Sequence, residues 1–145
     1  MSPSIDPVQT SNALPPATTV VIIGGGIIGL TAALTLAERG IPVVVIEKGR
    51  IAGEQSSRNL GWVRKTSRHA DDIPLALAAD RLWAQMPERV GADVGYRQAG
   101  IMFIARNEAQ MNMHQNWLKS VEHLSLDSRL LSNREIADKV PGGQG

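Results

Sequence analysis

The chain has 145 residues, 43% hydrophobic and 20% charged, which is ordinary globular chemistry and enough length for one small domain. Lys and Arg number 15 against 14 acids, and the net charge of +1 gives no argument for nucleic acid or an anionic membrane as partner. Cysteine is absent, which excludes disulfides, thiolate metal sites and thiol catalysis, and His69, His114 and His123 are too scattered to suggest a metal site.

The leader MSPSIDPVQTSNALPPATT comes first. Pro3, Pro7, Pro15 and Pro16 and its polar composition predict a disordered tail over residues 1–18. It has no Lys or Arg, and Asp6 is its only charge, so it lacks the basic start of a secretory signal. From Ala17 to Ala37 there is no charge, which is long enough for a bilayer span of about 20 residues. Three consecutive glycines at its centre, each about 1 kcal/mol worse than alanine in a helix, argue against one continuous helix. The β-branched run before them favours strand. No transmembrane span is expected.

That run, Val20 to Ile23, enters Gly24-Gly25-Gly26-Ile27-Ile28-Gly29. An Ala/Leu-rich helical pattern follows to Arg39, then Gly40, a second β run from Pro42 to Ile46, and Glu47. The order fits a strand–turn–helix–strand unit holding the ADP half of a dinucleotide. Gly24 allows the tight turn, Gly26 lets backbone approach a pyrophosphate, and Gly29 lets the helix pack close to the strand. The helix start, with Ile27 and Ile28, offers free N–H groups and the positive dipole end to phosphates. Glu47, roughly 20 residues beyond the glycines, ends the second strand where a carboxylate accepts from ribose hydroxyls, with Lys48 beside it. The acid would repel a ribose 2′-phosphate, which disfavours NADP; on this motif alone NAD and FAD both remain open.

Lys48 to Arg68 is polar, glycine-punctuated and aperiodic, so it reads as a long loop, of the kind that in compact domains is functional or disordered. Within it Ser56 and Ser57, together with Asn59 and the amides near Gly61, suit contact with a phosphate-bearing cofactor. Arg58, Arg64, Lys65 and Arg68 form a cationic run, of which Lys65 and Arg68 read as a solvated face. Asp72 is placed to cap a helix with Pro74 in its first turn, an apolar stripe of Leu75, Ala78, Ala79, Leu82 and Met86, and Pro87 as its stop. Val94 to Ala105 reads as two short strands broken near Gly100. Asn107 caps the next helix, with Gln110 in the capping-box position and Met113, Trp117, Val121 and Leu124 on its core face. Ser132 and Glu135 form a capping box for a last short helix ended by Pro141-Gly142.

From about Thr19 to Gly142 the sequence resembles the FAD-dependent amine and amino-acid oxidoreductases: D-amino-acid oxidases and dehydrogenases, glycine oxidase and sarcosine oxidase. GGGIIGLTAALTLAERG with VVVIEKG is similar to their first βαβ unit, and GEQSSRNLGWVR (Gly53 to Arg64) to their second flavin-contacting stretch. IPLALAADRLW resembles the helix that follows. YRQAGIMFIA and DSRLLSNREIADKVPG resemble the entry to the substrate domain.

The resemblance implies an α/β fold with a Rossmann-like FAD-binding βαβ unit of the glutathione-reductase type. Residues 19–92 would be the first part of the FAD-binding domain, and residues 93–145 the start of a mixed α+β substrate domain, the whole an incomplete fold. It implies FAD as cofactor, an amino acid or amine as substrate, and oxidation of its C–N bond to an imine. Arg64 becomes the candidate contact for a substrate carboxylate, because an arginine's planar fork matches that group. Leu60-Gly61-Trp62 stands where some relatives carry a flavin-linking histidine, so no covalent link is expected there. The remaining half of the enzyme is expected on the same or another chain, and residues 1–145 alone are expected to bind FAD weakly or not at all and not turn over. The alternatives are a non-catalytic dinucleotide-binding subunit and a flavin-dependent hydroxylase. A cytoplasmic location, with or without membrane association, is expected from the leader.

Overall fold

The structure is a computed structural model that describes residues 5–140. Residues 5–18 contain no helix or strand. The elements are β1 (Val20–Ile23), α1 (Ile27–Glu38), β2 (Val43–Ile46), α2 (Ile73–Val90), α3 (Glu108–Ser120) and α4 (Asn133–Lys139), with 3-10 turns at Gln55–Ser57, Ala70–Asp72 and Glu122–Leu124. The chain divides into two compact units between Trp62 and Val63.

In the first unit β1 and β2 pair in parallel, Val20 opposite Val43 through Ile23 opposite Ile46. A parallel pair needs a crossover, and α1 supplies it. The ladder continues one step past β1, where Gly24 N donates to Ile46 O at 2.8 Å. Ile22 faces α1, its Cγ2 3.2 Å from where a Gly29 side chain would begin. Val21 and Ile23, on the opposite pleat, are 54% and 88% exposed. Gly40, at φ 71°, turns the chain from α1 into β2.

In the second unit α2 packs a face that differs in part from the one its composition suggests. Ile73 and Met86 are buried and Ala76, Leu77, Asp80 and Trp83 half-buried, whereas Leu75 and Leu82 are exposed. The expected stripe is corrected in part: Ala78 and Ala79 are half-buried and Met86 buried as expected, Leu75 and Leu82 face out, and the packed face also includes Asp80, whose charge is neutralised locally. Full burial of Ile73 stabilises by roughly 1.5–3 kcal/mol. Pro87 does not stop the helix. Near the C-terminal end proline sacrifices only one backbone bond, and α2 runs on to Val90, where Gly91 at φ 68° ends it. Nor does the Asp72 side chain cap α2. The preceding 3-10 turn feeds directly into the helix, and the side chain that accepts there is His69, from Asp71 N.

Val94 to Ala105 forms no strand. Alternating apolar residues make a strand only where another edge takes up their backbone groups, and among the described residues none pairs with this segment. Asn107 caps α3 as expected, Oδ1 accepting from Gln110 N at 2.9 Å, while Gln110 Oε1 reaches back one residue further to Arg106 N at 2.7 Å. Val121 is 2% exposed and Trp117 and Leu124 are half-buried, but Met113 points outward at 68% and Met111, His114 and Leu118 share the packed face instead. The capping box at α4 is complete. Pro141 and Gly142 lie outside the described residues.

Candidate functional site

The expected cofactor residues all fall in the first unit, around the turn joining β1 to α1 and the loop after β2. Gly24 sits at φ 106°, which a side chain rarely tolerates. A Cβ on Gly29 would lie 2.0 Å from Gly24 O, so the helix touches the turn's own backbone. A Cβ on Gly26 would lie 2.9 Å from Ser56 Oγ. The three glycines thus meet three constraints: turn conformation, helix approach, and room beside a hydroxyl.

Gly26 also starts α1 without a side-chain cap of its own. The cap comes from 29 residues downstream, where Ser56 Oγ accepts from Ile27 N at 2.8 Å. This fixes the direction of the hydroxyl, since with its oxygen engaged by an N–H its proton is free for an anion. Ile28 and Gly29 carry the next N–H groups, which have no intrahelical acceptor by position, and no acidic side chain competes in the first turn.

Glu47 is aimed at this turn. Its Oε2 accepts from Gly25 N and its Oε1 from Gly49 N, each at 2.8 Å. These two bonds, that from Gly25 foremost, hold the carboxyl below its usual 4.5, so it is ionised at neutral pH. Two carboxylate oxygens offer about four lone-pair sites, which leaves acceptor capacity for two sugar hydroxyls. Lys48 next to it is exposed.

The loop after Glu47 is fastened to the turn by groups that the motif does not predict. Ala52 N donates to Gly25 O at 2.9 Å, and Ile51 closes over Gly25, its Cδ1 2.6 Å from where a Cβ would stand. Gly25, which the motif gave no role of its own, is therefore closely packed under Ile51. Gly49 is the other residue missed; the sequence EKG, an acid followed two residues on by glycine, was its only signal. Ser57 and Ser56 take different parts. Ser57 Oγ donates to Glu54 O at 3.1 Å within the 3-10 turn, whereas Ser56 reaches α1. Asn59 closes the loop, Nδ2 donating to Ser56 O and Oδ1 accepting from Gly61 N, both at 2.6 Å. Gly61 adopts φ 70° there.

Arg64 belongs to the second unit. Its guanidinium lies over the Phe103 ring, 5.8 Å from the centroid, and Nη1 donates to Thr66 O. Lys65 is not a solvated lysine: Nζ bonds Asp80 at 2.6 Å with its side chain 31% exposed. Arg68 Nε donates to Arg64 O, and Arg58 pairs with Glu54 across an exposed 3.4 Å contact of small energetic weight. Among the described residues there is no group of His, Asp or Glu able to hold a metal ion, and no helix is long and apolar enough to cross a membrane.

The open N–H groups of Ile28 and Gly29, the Ser56 hydroxyl beside them and the ionised Glu47 form a cradle for a diphosphate joined to a ribose, and these residues fit FAD. Comparison with known proteins agrees. The chain is 34% identical to L-amino acid deaminase from Proteus myxofaciens, whose structure in complex with anthranilate it matches with a TM-score of 0.87 over 99% of this chain and 33% of that one. Gamma-glutamylputrescine oxidoreductase of Escherichia coli (strain K12) is 35% identical over 85% of this chain and 33% of its own. The mitochondrial pyruvate dehydrogenase phosphatase regulatory subunit of Mus musculus is 28% identical over 90% of this chain and 15% of its own. The chain thus spans about a third or less of the relatives it matches. The sequence pattern of the FAD dependent oxidoreductase family matches residues 19–145. The chain belongs to that family of FAD-dependent oxidoreductases related to amino-acid and amine oxidases, and its cofactor is FAD.

Proposed function

We propose that the protein to which this chain belongs oxidises the C–N bond of an amino acid or secondary amine. FAD, when bound, supplies the redox chemistry by taking a hydride equivalent from the carbon bearing the nitrogen, leaving an imine that water hydrolyses. This chain's residues bind and orient. The open α1 amides of Ile28 and Gly29 and the hydroxyl of Ser56, which caps the Ile27 N–H, are assigned to the diphosphate, and Gly24, Gly26 and Gly29 make its approach possible. Glu47 takes the ribose hydroxyls and Lys48 lies alongside. Ser57, Asn59 and Gly61 shape the loop that follows. Arg64 is the candidate for a substrate carboxylate, and no side chain is assigned as a general base, because an amine bound neutral loses hydride without one.

We place residues 19–92 in the FAD-binding domain and residues 93–145 at the start of the substrate domain, with residues 1–18 as a leader. The rest of the substrate site comes from the same or another chain, and the location is cytoplasmic or membrane-associated. The observation that carries the reading is the 2.8 Å bond from Gly25 N to Glu47, which joins the acid to the glycine turn. The test is anaerobic mixing of the natural-length flavoprotein with a panel of amino acids and secondary amines, and separately with NADPH, while flavin absorption is followed. Bleaching by an amine and not by NADPH is expected. Bleaching by NADPH alone would turn the assignment to a hydroxylase.

A second reading, a non-catalytic FAD-binding subunit, is favoured by the similarity to a regulatory subunit. FAD that binds stoichiometrically yet is bleached by no amine would support it.

A further inference from the structure

Outside the glycine turn, the least exposed ionic cluster among the described residues lies in the second unit. Asp80 stands on the packed face of α2, its side chain only 18% exposed. Lys65 Nζ donates to its Oδ2 at 2.6 Å and the Tyr96 hydroxyl to its Oδ1, while Tyr96 stacks on Trp83 with centroids 6.2 Å apart. One carboxylate thereby ties together the loop at residue 65, helix α2 and the segment at residue 96. A partly desolvated ion pair is a poor source of stability compared with an aliphatic packing of the same volume. What it supplies is direction.

The loop it directs carries Arg64. Neighbouring side chains go to different places: Lys65 to Asp80, Arg64 to the face of Phe103. The same short loop is held further along, where Arg68 Nε donates to Arg64 O and Trp117 Nε1 to Arg68 O, both at 2.7 Å. The guanidinium is therefore presented from a backbone fastened before any ligand arrives. Pre-fastening matters most for a residue that must meet a planar carboxylate with two parallel N–H bonds.

We propose that Asp80 is a positioning residue for substrate recognition: by anchoring Lys65 to α2 it orients Arg64 toward the substrate carboxylate. This rests on the reading of Arg64 given above. The test uses the natural-length flavoprotein and two probe pairs, sarcosine with dimethylamine and proline with pyrrolidine, each a carboxylated amine and its carboxylate-free counterpart. Asp80→Asn and Lys65→Met are each expected to lower kcat/KM for the carboxylated member about tenfold relative to its counterpart, through KM, within the roughly 100-fold that a misplaced contact costs. Asp80→Glu is expected to restore most of that ratio, which a purely structural role would not require.

Arg64→Met sets the ceiling of discrimination. If Arg64→Met discriminates while Asp80→Asn and Lys65→Met lower both members of a pair alike, or neither, the proposal fails and the Arg64 reading stands. If Arg64→Met does not discriminate, or no carboxylated probe reduces the flavin, both fail. Should Asp80→Asn not fold, Lys65→Met leaves the acid bonded to Tyr96 and carries the test.

Discussion

Gly29→Ala is the sharpest test of the cradle, because a single methyl group meets backbone and has nowhere to go. The new Cβ would stand 2.0 Å from Gly24 O and 3.2 Å from Ile22 Cγ2. Reaching even 3.0 Å requires the turn and α1 to separate by about 1 Å. Two terms oppose each other. Alanine is about 1 kcal/mol better than glycine inside a helix. Overpacking costs about 1–3 kcal/mol, and toward the upper end when the obstacle is a carbonyl and not a side chain able to rotate away. A net loss of about 2 kcal/mol follows.

The same shift moves the Ile28 and Gly29 amides from the diphosphate, so FAD affinity is expected to fall at least about tenfold, worth about 1.4 kcal/mol. Urea unfolding and titration of the FAD-free natural-length protein with FAD measure the two effects. Gly40→Ala is the control. It has open space around its Cβ but sits at φ 71°, so it should cost about 1–2 kcal/mol of stability and leave FAD affinity unaltered. A Gly29→Ala protein as stable as the parent, binding FAD as tightly, would refute the close-approach argument.

Ser56→Ala should leave Ile27 N without its cap, cost about 1 kcal/mol in urea unfolding, and weaken FAD binding beyond Ser57→Ala, whose proton is spent inside its own turn. Asn107→Ala should cost about 1 kcal/mol through the start of α3 and spare FAD affinity, while Asn107→Asp should be close to neutral by the same measurement. For Glu47 the folded carboxyl is depressed below 4.5, so its contribution to stability is complete above that value and lost as pH falls through the folded one. Stability of the parent minus that of Glu47→Gln should therefore be flat from neutral pH to about 5 and shrink only in stronger acid; a difference that vanishes nearer neutrality would contradict the Gly25 and Gly49 bonds.

The linear order of residues was enough to determine the βαβ unit, its dinucleotide-type turn and the direction of Glu47, because each rests on local chemistry. β-branched runs extend, glycine alone accepts φ 106° at residue 24, and an acid ending the second parallel strand lies beside the turn ending the first. The caps at Asn107 and Ser132 were legible for the same reason, since donor and acceptor are three residues apart. Contacts between distant residues were not. That Ser56 and not Ser57 caps α1, that Ile51 packs over Gly25, and that Asp80 faces inward to meet Lys65 and Tyr96 depend on where loops return.

Where local pattern and tertiary packing disagreed, packing decided. Helix periodicity with aliphatic residues alone chose the stripe through Leu75 and Leu82, because a charged residue was assigned outward by default. The fold kept Ala78, Ala79 and Met86 packed, turned Leu75 and Leu82 out, and brought Asp80 inward, satisfied by a lysine from one side and a phenol from the other. Residues 94–105 failed in the opposite way. Their alternation was right for strands, but strand formation needs a partner edge, which no stretch of sequence supplies for itself.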